Sequence, residues 1–370
     1  MSFTALLLVL LTQSQVLPRP DPDTLAEAKR LAELALYDRA EDILRAFLKA
    51  APAEPQVQKM IPEFRAALCE VLLAARKYDD LKAEAEALRR HPKTRVHALS
   101  LLAAGAWHSG QAGEAVELCD EGEKAAADPS SVVSAPHLGR LRMIRNLLGW
   151  KRFETTTHIV HYPPDSPIAA QLVLFGRRLD TAFDRARADL DVAFPGKIEA
   201  FIFNDQAQAD AIAERTLGTA VPALRTYYAR ADAPPGFAIA QVVSFFAANR
   251  RERRPPKLAG LCEGFYASHA EDPRWDRRRE DIPRKLAKDD SLPTLESVLG
   301  RPGSDAKDLA LSGSFVRWLI RSRGRELFRR LWADYNELSG PENYDPKKPW
   351  TEVYGVSLAD LEAGWRSSIR

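Results

Sequence analysis

Cysteine is scarce in this 370-residue chain: Cys69, Cys119 and Cys262 are the only three. Three scattered thiols make no disulfide framework. Cys69 and Cys119 fall on separate expected helices and pair only if the fold brings them within disulfide reach. Cys262, in an apolar segment, reads as a small buried hydrophobe. Net charge is nearly absent as well, since 53 basic and 51 acidic residues leave +2. Charge alone therefore implies neither a nucleic-acid nor a membrane partner. No apolar run approaches the ~20 residues of a membrane-spanning helix. Histidine is missing over a long stretch, with none between His161 and His269. What is present suits a globular protein with a real core: 45% apolar residues, seven Trp, and room for two or three domains.

Residues 5–11 form a short apolar run, followed by a polar stretch at 12–15. That pattern fits the h-region and cleavage region of a signal peptide over 1–16, and so an extracytoplasmic (periplasmic or secreted) protein. The competing reading is an N-terminal helix packed on the protein. No cysteine follows the run, so a lipid anchor is not indicated. Pro18, Pro20 and Pro22 then make an extended linker.

Residues 24–149 read as an all-α domain of helix pairs, with breaks at Tyr37-Asp38-Arg39-Ala40, Tyr78-Asp79-Asp80-Leu81 and Ser109-Gly110-Gln111-Ala112. Tyr37 to Tyr78 is 41 residues and Tyr78 to Ala112 is 34. The second spacing is the tetratricopeptide period, and Ala40 and Ala115 fall where such a repeat needs a tight helix contact. The segment resembles a degenerate tetratricopeptide array. The resemblance implies a curved solenoid with a concave binding face, but the helices serve equally well as a support for the next domain.

From 150 onward the pattern changes. Residues 153–162 alternate and are rich in β-branched side chains, which predicts a strand. Within it His158 and His161 point to opposite faces, at a sheet edge. A long helix (167–194), a central strand (197–203), a helix capped by Asn204 and Asp205 (206–216) and a short edge strand (227–231) follow. The arginine-rich 274–280 reads as a solvated turn with interleaved acids.

The stretch 235–271 organises this half. Residues 238–249 predict a buried, almost wholly apolar helix, and 256–269 a second helix carrying Glu263 within Leu261-Cys262-Glu263-Gly264-Phe265. A basic, proline-containing turn joins them. On these residues and on the order of elements, 150–370 resembles the gluzincin (peptidase MA-like, thermolysin-like) zinc peptidases. In that family a His-Glu-x-x-His helix precedes a second helix whose glutamate is the third zinc ligand. The resemblance places the five-residue motif on 240–244. Glu263 follows Ser244 by 19 residues, an ordinary spacing for the family, and takes the third-ligand position.

The ligand and base positions then read Ala240, Gln241 and Ser244. Alanine cannot ligate, a serine hydroxyl is a poor neutral-pH zinc ligand, and glutamine cannot take a proton. The expectation is an α+β domain of small mixed sheet with a vestigial site, no metal, no cofactor and no catalytic residue. A protein or peptide partner would dock on the helical repeats or the vestigial cleft. The alternative is an active hydrolase whose metal site is rebuilt from Glu263 with His269, His158 or His161.

Overall fold

The same turn occurs three times in the first half of the chain. Ala35, Arg76 and Gly110 all have left-handed backbone (φ 55°, 63° and 84°). The next residue's amide bonds back five positions each time: Leu36 N to Leu31 O, Lys77 N to Leu72 O, and Gln111 N to Ala106 O. This is the Schellman closure of a helix, which satisfies carbonyls that a helix end otherwise leaves open. The structure, a computed structural model, describes residues 22–51, 55–213, 217–233, 235–249, 259–270, 273–300, 305–337, 345 and 347–369. Residues 1–16 and 250–258, where the signal segment and the basic turn were expected, lie outside the described residues.

Each of the three turns joins a helix pair: α1 (Pro22–Glu33) with α2 (Tyr37–Ala50), α3 (Pro55–Ala75) with α4 (Tyr78–Arg89), and α5 (Pro92–His108) with α6 (Ala112–Ala126). A further helix, α7 (Ala135–Leu147), ends this unit, and the chain divides between Leu148 and Gly149. Five residues beyond each left-handed residue stand Ala40, Leu81 and Ala115, all buried. A Cβ on Gly105 would come within 3.0 Å of Leu81 Cδ2, so a leucine is accommodated in the middle pair by a glycine on the facing helix. Phe47 and Phe64 stack at 3.5 Å and join the first pair to the second. Cys69 and Cys119 are free and buried rather than paired. Burial pushes their thiols up to about 12 and about 11.

The second unit is α+β, with one mixed sheet in the order β1-β2-β3-β5-β4. Its strands are β1 (Lys151–Glu154), β2 (His158–Tyr162), β3 (Ile198–Phe203), β4 (Thr219–Val221) and β5 (Thr226–Arg230). β2, β3 and β5 run parallel, and the outer strands β1 and β4 run antiparallel to their neighbours. Every residue of β3 is buried, as a strand covered on both faces should be.

The single strand expected over 153–162 is instead a hairpin. Thr155 N bonds His158 O at 2.9 Å, and the Asp180 carboxylate of α8 (Leu172–Leu190) accepts from Thr155 Oγ1 at 2.6 Å and from Thr157 N at 3.1 Å. Three threonines carry no glycine or proline turn signal, so a partner 23 to 25 residues away decides the turn. β2 is consequently interior, not an edge, and so is β5; the edges are β1 and the three-residue β4.

Two helices built from the central stretch follow, α10 (Gly236–Asn249) and α11 (Ala259–His269), after a short α9 (Gln206–Ala213). α10 packs on β4, β5 and α8, with Ile239, Ala240, Val242 and Val243 fully buried. The chain then forms α12 (Pro273–Lys288), α13 (Leu295–Leu299), α14 (Ala306–Arg323), α15 (Arg325–Glu337), α16 (Lys348–Tyr354) and α17 (Leu358–Ile369). The arginine-rich 274–280 thus lies in the helix α12, not in a turn. Its i, i+4 charges, such as Glu280 and Arg284 at 3.7 Å, suit an exposed helical face.

Candidate functional site

Residues 237, 241 and 244 recur at four and three positions along α10, so they share one stripe. That stripe meets α11. The Phe237 and Tyr266 rings contact edge to face at 5.6 Å, and Ser244 Oγ lies 3.3 Å from the Tyr266 hydroxyl. Ser244 Oγ also donates to its own helix at Gln241 O, 3.0 Å away. Ser244 is 2% exposed and Ala240 0%, so two of the three motif positions are packed shut. Gln241 is half-buried, and its side-chain oxygen is a buried acceptor with no hydrogen-bond partner among the described residues.

Glu263 stands three residues before Tyr266 on α11 and so lies on the face that Tyr266 turns toward α10. It is half-buried. Burial, with the Glu263 carboxylate beside it, pushes the Cys262 thiol up to about 12. Burial likewise raises the Tyr266 hydroxyl, which therefore stays protonated. No group on α10 facing Tyr266 can carry charge or move a proton near neutral pH.

α11 reaches this position by an unusually close approach to α14. A Cβ on Gly264 would lie 2.8 Å from Ser312 O, and one on Gly313 would lie 2.8 Å from Ala267 Cβ. At Gly260 a Cβ would meet Val298 O at 2.6 Å. Only glycine lets the helix backbones come this near.

The three histidines considered for a rebuilt site do not converge. His158 faces α8 and β5, edge to face with Phe183 at 6.1 Å and Tyr227 at 6.0 Å. Burial holds its ring below the ordinary histidine pKa, opposed by Asp180. His161, on the other face of β2, stacks on Phe201 at 4.9 Å and bonds Glu199 at 2.7 Å. His269 closes α11 against the C-terminal end of α8, 3.2 Å from Asp189. Among the described residues no group of three or more His, Cys, Asp and Glu side chains is placed to hold a metal ion.

The network around Asp189 is what sequence reasoning missed. Asp189 is 5% exposed and accepts Arg325 Nε at 2.6 Å. Arg185 donates to Ser268 O at 2.7 Å, Arg279 donates to Ala267 O at 2.6 Å, and Arg329 donates to Ala188 O. These bonds satisfy carbonyls at the ends of α8 and α11. The partners lie 12 to 141 residues apart, and Asp189 sits in a charged, amphipathic run that looks solvated, so no local signal marks it. Among the described residues no helix is long and apolar enough to cross a membrane. Comparison with protein-family models, curated proteins and solved structures returns no match.

Proposed function

We propose that this protein is a non-catalytic relative of the gluzincin peptidases, a pseudopeptidase that binds a peptide or protein partner and carries a tetratricopeptide-like arm. One observation carries the reading. The stripe of α10 that would present zinc ligands and a base instead presents a buried alanine and a buried serine engaged with Tyr266. Hydrolysis of this type needs a metal to lower the pKa of bound water to ~7 and a carboxylate to take its proton. The base alone is worth about 10²–10⁴ in rate.

Two further observations agree. An unsatisfied buried acceptor costs roughly 1–3 kcal/mol, and a side-chain movement that turns Gln241 Oε1 toward the N–H of a docked peptide would relieve it. The threefold Schellman turn supports a repeat array with a ligand-binding surface.

The test restores the motif. Ala240→His, Gln241→Glu and Ser244→His together should give a folded protein that copurifies with one zinc per chain, while the parent shows none and cleaves no peptide. Adding Glu263→Ala to the triple variant should abolish the zinc. A triple variant with native circular dichroism and no zinc would defeat the register, and zinc held tightly by the parent would defeat the pseudoenzyme reading.

We also infer export, from the apolar run at residues 5–11. N-terminal sequencing of the protein from its own host should begin near residue 17. An intact Met1 or Ser2 on the folded protein would overturn this.

A further inference from the structure

α7, the last helix of the first unit, carries His137 in its first turn. The ring stacks face to face on His97 of α5, with centroids 3.9 Å apart and planes within 10°. His97 Nε2 bonds the Glu70 carboxylate of α3 at 2.9 Å. Arg140, one turn along α7, donates to both oxygens of that carboxylate at 3.0 and 2.9 Å and reaches Ser100 Oγ at 3.4 Å. Glu70 thus clasps α5 and α7 together, and its bonds go to His97 and Arg140 rather than to His137. His137 is half-buried, and its Nδ1 is a buried ring nitrogen with no hydrogen-bond partner among the described residues.

A ring so placed suits its neutral form. A proton on it would set an imidazolium against the His97 ring, one turn from the Arg140 guanidinium. It would also put positive charge in the first turn of a helix, where the dipole disfavours it. Burial, then His97 and Arg140, hold the His137 ring down at about 4, with Glu70 opposing. Burial works against the Glu70 carboxylate too, but His97 and Arg140 more than offset it and hold it below its ordinary value, so the clasp stays charged at pH 5. α6, the other helix on which α7 packs, offers the acids Asp120 and Glu123. Arg145, just over two turns beyond His137, takes up both, at 2.5 and 2.9 Å.

Beneath α7 lies a closed apolar seam. Leu141 and Ile144 are buried, and a Cβ on Gly122 of α6 would lie 2.7 Å from Leu141 Cδ1. The buried thiol of Cys119, also on α6, donates to Leu141 O at 3.7 Å. Lifting α7 uncovers this seam and that thiol.

We propose that the His97–His137 stack is an acid-sensitive latch: protonation of His137 releases α7 from α5 and α6 and opens the apolar face it covers. The inference stands apart from the pseudopeptidase reading and survives its failure. Its direction follows from linkage. The undocked ring titrates near 6.5 and takes a proton more readily than the docked one. Docking is therefore fully stable above that value and is lost progressively as pH falls from it through the docked value. Opening should be about twentyfold more frequent at pH 5 than at pH 7.

Cys119 reports the opening directly. The full chain is treated with dithiodipyridine, which reacts with thiols at acid pH, and modification of each cysteine is followed by mass spectrometry. Each rate is divided by that of a free cysteine peptide at the same pH. The normalised rate at Cys119 should rise about twentyfold from pH 7 to pH 5. Cys69, in α3 near Glu84 of α4, reports unfolding of the whole unit and should stay flat. His137→Phe keeps a flat ring on His97 and removes the titration, and should abolish the rise at Cys119. If that variant does not fold, His137→Gln, measured in the same way, should abolish it. Equal rates at Cys119 at the two pH values overturn the proposal. A rise shared equally by Cys69 overturns it as well, as does a rise that the folded variant retains.

Discussion

Replacing Gly264 with alanine is expected to lower the melting temperature by about 4–8 °C, a net loss of ~2 kcal/mol at the upper end of the overpacking range once the helix preference for alanine is subtracted. A single methyl group has this effect because of what it meets. The new Cβ would lie 2.8 Å from Ser312 O, 2.9 Å from Ser312 C and 2.9 Å from Val316 Cγ2. Two of the three atoms are backbone, so no rotamer change clears the space. α11 and α14 must move apart, and Gly313 against Ala267 shows that the crossing is tight from the other side too.

Overpacking of this kind costs about 1–3 kcal/mol, and in a domain of this size 1 kcal/mol is worth about 2–4 °C. The intrinsic preference for alanine over glycine in a helix opposes the loss by about 1 kcal/mol. The opposing term can be measured separately. Gly139 lies in α7, and a Cβ there would meet nothing within 4 Å. Gly139→Ala should therefore stabilise slightly. A melting temperature for Gly264→Ala within 1 °C of the parent would mean that the close crossing is absent, and with it the placement of Glu263 facing α10.

The buried helix α10 was legible in advance because its composition leaves no other choice. A 14-residue element with so few polar groups must be covered on nearly all sides. The repeat turns were legible for a different reason: the helical pattern breaks at Tyr37, at Tyr78 and at Gly110, beside each of them, although only one of the three left-handed residues is glycine. The hairpin between β1 and β2 was not legible. Thr155, Thr156 and Thr157 have the composition of a strand, and what bends them is a carboxylate on α8. The helical state of 274–280 was hidden in the same way, because a charged segment is equally good as a solvated turn or as the outer face of a helix.

At the candidate site, the sequence alone shows that Ala240, Gln241 and Ser244 carry neither an imidazole nor a carboxylate. It does not show the Ser244 to Tyr266 contact, since that depends on how two helices cross. The clearest case of information held only in three dimensions is Asp189. Its partners are Arg325, 136 residues later, and His269.

That network sets the second large effect. Asp189→Ala is expected to cost about 3 kcal/mol, read as a lower midpoint in urea at pH 7. Breaking a buried ion pair from one side typically costs ~3–5 kcal/mol because a buried partner is left uncompensated. The lower end applies here because Arg325 is 54% exposed and water can take over its guanidinium. His269 is the partner that suffers, at 2% exposure and 3.2 Å from the carboxylate.

The carboxylate also sits at the C-terminal end of α8, where the helix dipole disfavours negative charge. Burial by itself would raise the Asp189 pKa, but the His269 ring and the Arg325 guanidinium more than offset it and hold the carboxyl below its ordinary value. The folded state then binds fewer protons than the unfolded chain as pH falls toward 4 and below. The stabilisation is present above the unfolded pKa, about 3.9, and is lost as pH falls through the folded one. Asp189→Asn keeps the shape and removes the titration. Its deficit relative to the parent should therefore be largest at pH 6–7 and shrink by pH 3. A deficit that stays constant across that range would show that the side chain acts by packing alone, and that its charge does not join α8, α11 and α15.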